Sequence, residues 1–309
     1  MSEFESDLTI VILTFNEQLH IRRCIESLLP ISRRILVIDS FSSDRTVDIC
    51  DSLGAEVYQR AWKNYADQFQ WALDHCPIET AWVMRMDADE YVEADLIAEL
   101  PLTLANAKDS VGGFYIRRKY YFLGKWIKHG SVYPLNLLRV WRVGQCNIEQ
   151  RWMDEHIVPI GPATILQLKG HIVDDNKNTN RWYTAKHNAY ADREMIDILD
   201  KKYGLFKVAN PINESTNDSQ AKVIRFVKER IYNNLPIFLR PTLYFCYRYF
   251  IRFGFLDGTR GFAFHFFQGF WYRALVDVRV YEAEVLLEGS NSNKERIARL
   301  ESLTGLKLA

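Results

Sequence analysis

Short apolar runs and helical segments alternate along the first part of the chain, and this alternation constrains the fold more than any other feature. Runs rich in branched aliphatic residues predict strands at positions 8–14, 35–38, 55–58 and 80–86. Segments with apolar residues at helical spacing lie between them, at positions 21–28, 46–53 and 65–73. Strands that alternate with helices in this way predict an α/β fold, in which a mostly parallel sheet is flanked by helices.

Polar residues stand where three of these strands end. They are Thr14, Asn16 and Glu17 after the first strand, Asp39 after the second, and Asp87 and Asp89 after the fourth. Ligands bind to parallel sheets at the carboxyl ends of the strands, so we expect these side chains along one edge. Any one of them could belong to a turn or a helix cap. As a set they predict a nucleotide site.

The pair Asp87 and Asp89 is separated only by Ala88. In an extended chain, side chains two residues apart start on the same side, and alanine leaves room between them. Carboxylate oxygens suit Mg²⁺ or Mn²⁺. The sequence contains neither a Gly-x-Gly-x-x-Gly motif after the first strand nor a P-loop motif, so we expect this cation to neutralise the phosphates of a nucleotide. The alternative is an ordinary Asp-rich turn.

Three ordered motifs resemble those of glycosyltransferase family 2. They are Leu13-Thr14-Phe15-Asn16-Glu17, Val37-Ile38-Asp39-Ser40 with Asp44-Arg45-Thr46, and Met86-Asp87-Ala88-Asp89-Glu90. The resemblance covers at least residues 8–175 and implies a GT-A fold, inverting transfer and a nucleotide-diphosphate sugar as donor. It also implies a catalytic domain over residues 1–205, with a nucleotide-sugar part (1–110) and an acceptor and base part (111–205).

The same resemblance implies roles for individual residues. The donor-binding residues would be Thr14, Asn16, Glu17, Asp39, Gln68 and Asp87, with Asp39 at the base or ribose. The ligands of the metal, Mn²⁺ or Mg²⁺, would be Asp87, Asp89 and His171.

The segment Trp152-Met153-Asp154-Glu155-His156 is a candidate for the catalytic base. Inverting sugar transfer needs a carboxylate that takes the proton from the attacking hydroxyl group. The family resembled here carries such an acid in a Glu-Asp or His-Glu pair at about this distance from the metal motif. The His-Glu form favours Glu155 and the Glu-Asp form favours Asp154. Pairing of either acid with Arg151 would be a structural role.

Basic and aromatic residues alternate over positions 112–142, where we expect strands and a connecting loop. The residues predicted to contact the acceptor are Lys128, His129, Tyr133 and Arg139. The alternative is a sheet edge with solvated basic side chains. Residues 174–181 are polar and predict a flexible loop that closes over the donor.

The last third of the chain, residues 206–309, combines aromatic and basic residues. Positions 230–276 hold six arginines and a single acid, Asp257. On a regular helix Arg240, Arg248 and Arg252 would share one third of the circumference. We therefore predict a helical region that lies peripherally in a bilayer interface. The family resemblance implies that this is the cytoplasmic face of the bacterial inner membrane. The alternatives are a packed helical subdomain and a dimer interface.

Composition argues against several classes of protein. Lys and Arg number 39 and Asp and Glu number 39, so no overall field favours nucleic acid as a partner. The five cysteines are scattered without a Cys-x-x-Cys pair, which indicates reduced thiols in a cytosolic setting. The segment of residues 1–7 is acidic and is followed by a predicted strand, so we expect no signal peptide.

Motifs at positions 248–250, 254–258 and 268–273 resemble the tail of bacterial family 2 enzymes that build lipopolysaccharide core or exopolysaccharide. The resemblance implies a metal-dependent hexosyltransferase that uses a nucleotide-diphosphate sugar, with a UDP-sugar favoured, and a lipid-linked saccharide acceptor. One alternative is a sugar-phosphate nucleotidyltransferase, which would carry a glycine-rich basic loop after the first strand. The other is a non-catalytic, membrane-associated nucleotide-sugar-binding protein. The transferred sugar, the linkage and homo-oligomer formation stay open.

Overall fold

The computed structural model describes residues 6–149, 156–206 and 235–308. The chain forms two compact units, residues 1–177 and 178–309. The units divide before the boundary predicted at residue 205, so the long helix that begins at residue 180 belongs to the second unit.

The described part of the first unit contains a large sheet and four α-helices. The strands are β1 (Leu8–Thr14), β2 (Arg34–Asp39), β3 (Glu56–Gln59), β4 (Trp82–Asp87), β5 (Glu90–Val92), β6 (Val111–Phe122), β7 (Lys125–Ile127), β8 (Leu135–Arg142), β9 (Cys146–Ile148), β10 (Ile157–Pro159) and β11 (Thr164–Asp174). The helices are α1 (Ile21–Leu28), α2 (Thr46–Ser52), α3 (Tyr65–His75) and α4 (Ala94–Ala105).

The main sheet has the strand order β3-β2-β1-β4-β8-β6-β11-β5, and β7 pairs with β6. Strands β1 to β4 run parallel to one another, and β11 runs parallel to β6. Strand β8 lies antiparallel between β4 and β6, so β6 and β11 point in the same direction as β4. The predicted α/β class, a mostly parallel sheet flanked by helices, is confirmed.

The two faces of the sheet carry separate apolar cores. Ile10 and Ile12 of β1 pack in the core that includes α1, whereas Val11 packs with Phe69 of α3 and Trp141 of β8. Successive side chains of a strand point to opposite faces, so helices α1 and α3 cover opposite sides of β1. This explains why β1 is a nearly continuous apolar run in the sequence.

The described part of the second unit is helical, as predicted. Its elements are α5 (Asn180–Tyr203), α6 (Leu239–Cys246), a π-helical turn (Tyr247–Ile251), a 3₁₀ turn (Gly254–Asp257), α7 (Gly258–Phe264), a second π-helical turn (His265–Trp271), α8 (Tyr272–Leu287) and α9 (Asn293–Thr304). Its core is formed by Met195 and Leu199 of α5, Val280 and Ala283 of α8, and Leu300 of α9.

The predicted arginine face is not formed. Arg240 is buried and forms an ion pair with Asp277, and Arg248 is buried with its guanidinium 5.4 Å from the centre of the Phe264 ring. Only Arg252 of the three is exposed. The reason is that the regular helix ends at Cys246 and the chain continues through π-helical and 3₁₀ turns, which change the angular spacing of the side chains. Among the residues with described coordinates, no helix is long and apolar enough to cross a bilayer.

Candidate active site

The carboxyl ends of four strands bring polar residues to one edge of the main sheet. Thr14 of β1 is the register partner of Asp39 on β2, and Leu13 is the partner of Asp87 on β4. Because β11 is parallel to β4, its last residue, Asp174, lies at the same edge. The edge predicted from the sequence is therefore formed, with one additional acid.

Asp39 is buried and accepts several hydrogen bonds. Its carboxylate accepts from the Thr14 hydroxyl at 3.0 Å, the Ser42 backbone N–H at 2.8 Å and the Gln59 side-chain amide at 3.3 Å. It also accepts from the Ser42 hydroxyl. These bonds hold the loop that follows β2. The nucleoside-binding role of Asp39 and Thr14 stays a prediction.

The loop after β1 is tied to the loop after β2 through Asn16 and Glu17. The Asn16 N–H donates to the Ser42 hydroxyl at 2.8 Å, and its side-chain oxygen accepts from the Ser43 N–H at 2.8 Å. The Glu17 N–H donates to the Thr46 hydroxyl at 2.8 Å. Asn16 has a positive φ of 56°, a left-handed conformation that asparagine adopts more readily than most residues. Both residues therefore shape the predicted nucleoside pocket.

Gln68 lies in the interior instead of at the cleft. It is buried on α3, where its side-chain oxygen accepts from Arg60 at 3.0 Å. Its side-chain nitrogen donates to the Arg60 carbonyl at 3.2 Å and to the Ser40 hydroxyl at 3.3 Å. These contacts replace the direct donor contact predicted for Gln68, because each polar atom of its amide is used to hold the loops at residues 40 and 60.

Asp87 is held by groups from two other elements. Its Oδ1 accepts from the Tyr65 hydroxyl at 2.7 Å, and its Oδ2 accepts from Arg139 Nη2 at 3.0 Å. Burial raises the pKa of Asp87, but the positive charges of Arg139 and Arg85 outweigh this effect and the net shift is downward. Asp87 is therefore a fixed carboxylate anion.

Arg139 forms a buried bridge between Asp87 and Glu90. It is 3% exposed, and its Nη2 also donates to Glu90 Oε1 at 2.6 Å. The Asp87 N–H donates to the second oxygen of Glu90 at 3.0 Å. Burial, together with the charge of Asp87, raises the pKa of Glu90 to about 8. The structure thus corrects the acceptor-contacting role predicted for Arg139, because its side chain is buried and donates to Asp87 and Glu90.

Asp89 is less constrained than Asp87. Its side chain is half-buried, and its Oδ2 accepts from the Asn176 side-chain amide at 2.9 Å. Nearby Asp174 contacts Arg118 at 3.2 Å. Burial, then the charges of Asp89 and Asp87, raise the pKa of Asp174 to about 7 against the opposing effect of Arg118. Asp174 was missed in the sequence because its strand is far from the motif; an acid at a strand end was the available signal.

The segment after β11 is anchored, which corrects the flexible loop expected there. The Asp175 carboxylate contacts Arg23 at 2.8 Å. The Lys177 N–H donates to His20 Nε2 at 2.8 Å, so the other ring nitrogen, Nδ1, carries the proton toward Glu17 Oε2 at 2.6 Å. This chain of bonds joins the loop after β1 to the segment that supports Asp89.

His171 belongs to a second polar cluster, with Glu93 and Asp95. Its Nδ1 donates to Asp95 Oδ2 at 2.7 Å, and the Tyr133 hydroxyl lies 2.9 Å from its Nε2. Within the described ranges, this is the group whose His and carboxylate atoms lie close enough to share a metal ion, and it does not include Asp87 or Asp89. A place for His171 beside Asp87 and Asp89 stays a prediction.

Two of the predicted acceptor residues gather around Trp126, which the sequence reasoning missed. Tyr133 packs edge-on against Trp126 with ring centres 5.2 Å apart, and Lys128 Nζ lies 4.6 Å from the Trp126 ring. His129 follows Lys128 and is half-buried. The predicted bases, Asp154 and Glu155, lie outside the described residues.

The raised pKa values of two acids near the sheet edge predict how the stability of the fold depends on pH. Glu90 and Asp174 have pKa values of about 8 and 7, above their ordinary values of 4.5 and 3.8. The folded state therefore binds more protons, so the free energy of unfolding falls as pH rises from about 4 to about 8. The lowered pKa of Asp87 acts in the opposite sense, and its contribution is lost only as pH falls below the ordinary value of 3.8.

We expect urea unfolding to show lower stability at about pH 8 than at about pH 5, with a smaller difference in Glu90→Gln. The exposed control Glu26→Gln should keep the wild-type difference. If the free energy of unfolding of the wild type rose between about pH 5 and about pH 8, the raised pKa values of Glu90 and Asp174 would be contradicted.

Comparison with known proteins gives a family match over about half of the chain. The family model described as Glycosyl transferase family 2 matches residues 9–166. The lipopolysaccharide core biosynthesis glycosyltransferase LpsC of Rhizobium meliloti is 29% identical over 193 residues, which cover 58% of this chain and 70% of LpsC. An uncharacterised glycosyltransferase of Rickettsia bellii is 35% identical over 99 residues, 32% of this chain. The chain spans about a third (33%) of the length of that Rickettsia relative.

Among solved structures, the chain is similar to glucosyl-3-phosphoglycerate synthase from Mycobacterium tuberculosis in complex with Mn²⁺, uridine-diphosphate and glucosyl-3-phosphoglycerate. The two are 18% identical, and the match covers 37% of this chain and 44% of that chain with a TM-score of 0.31.

Proposed function

The chain belongs to glycosyl transferase family 2, and from this membership we propose that it transfers a hexose from a nucleotide-diphosphate sugar to a lipid-linked glycan. The observation that carries the proposal is that Asp87, Asp89 and Asp174 lie together at one edge of the sheet. Strands β1 and β2 end at the same edge, with Thr14 and Asp39. A UDP-sugar is the favoured donor. The likeness to LpsC, a lipopolysaccharide core enzyme by its name, supports an acceptor of that class.

The acidic residues at this edge suit a hard divalent cation, Mn²⁺ or Mg²⁺. Their donor atoms are carboxylate oxygens, which such cations prefer. Burial first, and the charges of neighbouring carboxylates second, raise the pKa values of Glu90 and Asp174. Asp89 and Asp87 would hold the ion, since the hydrogen bonds to Asp87 from Tyr65 and Arg139 leave a lone pair on each of its oxygens. A bound cation would neutralise charge on the departing diphosphate.

The remaining residues of the site would bind the nucleoside and activate the acceptor hydroxyl group. The linked loops around Asn16 and Ser42 would bind the nucleoside. Asp39 holds the second of these loops by accepting a hydrogen bond from the Ser42 N–H. Glu155 is the proposed base, with Asp154 as the alternative. As the acceptor oxygen bonds to the anomeric carbon, this carboxylate takes the hydroxyl proton. The bond between the anomeric carbon and the diphosphate oxygen breaks, and its electron pair leaves with the diphosphate.

The cluster around Trp126 is the proposed acceptor wall. An aromatic ring suits the apolar face of a sugar, and Trp126 is partly exposed. The Tyr133 hydroxyl, oriented by His171, can hydrogen-bond a sugar hydroxyl group. Lys128 adds a positive charge beside the ring, which suits a phosphorylated glycan.

The family membership favours transfer over both alternatives. A nucleotidyltransferase would need a glycine-rich basic loop after β1, and this chain places Asn16 and Glu17 there instead. The family match itself favours transfer over a non-catalytic binder.

Donor binding can be tested by thermal shift. We expect a UDP-hexose together with Mn²⁺ to raise the Tm by about 5 °C, because a ligand at a hundred times its Kd adds about 2.7 kcal/mol to the free energy of unfolding. UDP-hexose without metal should give a smaller shift, and NAD with Mn²⁺ should give none. A panel of nucleotide-diphosphate sugars that leaves the Tm unchanged with Mn²⁺ would refute the proposal.

A further inference from the structure

The second unit exposes a group of large apolar side chains that we name the apolar tip. It consists of Phe250, Ile251, Phe253, Phe255, Leu256, Phe262 and Phe266. Four of them are more than half exposed: Phe250 at 57%, Ile251 at 66%, Phe253 at 57% and Leu256 at 58%. Single exposed apolar residues are common on soluble proteins, but a contiguous group marks a surface that another phase or molecule covers.

Ring contacts show that the apolar tip is contiguous. Phe253 lies 6.1 Å from Phe255, and Phe255 lies 6.3 Å from Tyr249. Tyr249 lies 5.5 Å from Phe262, which stacks on Phe266 at 6.2 Å. These centre-to-centre distances join aromatic residues of the segment 249–266 into one patch, and Ile251 and Leu256 lie within that segment.

The interior behind the apolar tip is closely packed at two glycines. A Cβ atom added at Gly254 would lie 2.6 Å from the His265 ring, and one added at Gly261 would lie 2.4 Å from Asp257 Cβ. Both glycines are buried, so their neighbours fill the space beneath the turn. The turn that carries the exposed rings is therefore closely packed at these two positions.

Among the described residues 235–276, the charged side chains that are exposed are arginines. Asp257 is the single acid in the described sequence from 235 to 276, and it is buried. Arg252 and Arg260 are exposed within or beside the patch. Apolar rings bordered by arginines complement a bilayer, whose acyl boundary accepts the rings and whose anionic headgroups attract the cations.

A second copy of the chain fits this surface less well. In a two-fold symmetric contact the same patch faces itself, so Arg252 and Arg260 would approach their own counterparts, and the one acid among residues 235–276, Asp257, is buried. We propose that the apolar tip inserts into the interface of a bilayer that contains anionic phospholipid, with Arg252 and Arg260 at the headgroups. This attachment is independent of whether sugar is transferred.

The test is flotation of the full chain with two kinds of vesicle, phosphatidylcholine alone and phosphatidylcholine with about 30% phosphatidylglycerol. We expect the wild type to float with the anionic vesicles. Phe253→Ser with Leu256→Ser should weaken that binding by roughly tenfold or more, because two inserted side chains are lost. Arg252→Gln with Arg260→Gln should weaken binding to anionic vesicles and leave any binding to neutral vesicles unchanged.

The matched control is Leu102→Ser with Ile160→Ser, which removes two comparably exposed apolar side chains (60% and 51%) from the first unit and should float like the wild type. Unchanged urea unfolding of each variant shows that the fold is kept. The proposal is overturned if the wild type stays in the soluble fraction with both vesicles. It is also overturned if the Phe253 and Leu256 substitutions change the oligomeric state without changing flotation, which would assign the surface to a second copy.

Discussion

Asp89→Asn is expected to lower kcat for sugar transfer by about a thousandfold while leaving the fold intact, a loss of about 4 kcal/mol of transition-state stabilisation. Asparagine has the size of aspartate and keeps an oxygen for the Asn176 amide, which donates to Asp89 Oδ2 at 2.9 Å. It lacks the negative charge that would hold a divalent cation against the diphosphate. The substitution therefore separates the chemistry of the site from its packing.

Transfer is measured with the donor found by thermal shift, Mn²⁺ and an acceptor glycan, beside urea unfolding of the same variant. Asp109→Asn is the control, because its exposed carboxylate lies outside the sheet edge and should keep wild-type kcat. The Mn²⁺-dependent part of the donor-induced Tm shift should also disappear in Asp89→Asn. Wild-type turnover and an unchanged Mn²⁺ effect in this variant would place the cation elsewhere.

Arg139→Met is expected to lower the free energy of unfolding by about 3–5 kcal/mol. Methionine keeps most of the side-chain volume but removes the guanidinium that donates to Asp87 at 3.0 Å and to Glu90 at 2.6 Å. Buried Glu90 and partly buried Asp87 would then lose their shared cation, and their desolvation would be less well compensated. Measurement above pH 8, where Glu90 is ionised, gives the largest loss.

Adding Glu90→Gln to Arg139→Met should recover part of this stability, because it removes one of the two unpaired charges. Arg22→Met is a control for loss of an arginine as such, since Arg22 pairs with Glu26 on the surface at 3.4 Å and such pairs contribute at most about 1 kcal/mol. Unfolding of Arg139→Met within about 1 kcal/mol of the wild type would mean that the buried bridge does not stabilise the fold.

The active-site architecture shows how far local sequence reasoning extends. The runs that become β1, β2 and β4 are mostly apolar because both of their faces are covered, and the helices between them have apolar residues at helical spacing. Since parallel strands place their carboxyl ends together, Asp39 and Asp87 could be assigned to one edge before any contact was known. The Asn16 and Glu17 contacts with the loop after β2 agree with that assignment.

Other features depended on pairings that no local pattern contains. Strand β8 is antiparallel between β4 and β6, which brings Arg139 to Asp87 across 52 residues of sequence and into the interior. Strand β11 returns Asp174 to the same edge, although nothing near it in the sequence resembles the Asp87 motif. In the second unit, π-helical and 3₁₀ turns replaced the regular helix on which the arginine face was predicted.

The sequence by itself determined the strand–helix alternation, the edge at which the strand-end acids gather and the family, because each depends on residues that are neighbours along the chain. Only the tertiary structure decided which of the charged residues are buried counter-ions and which apolar residues stay exposed. The physical reason is that burial and ion pairing follow from sheet register and helix packing, in which residues far apart in sequence become neighbours in space.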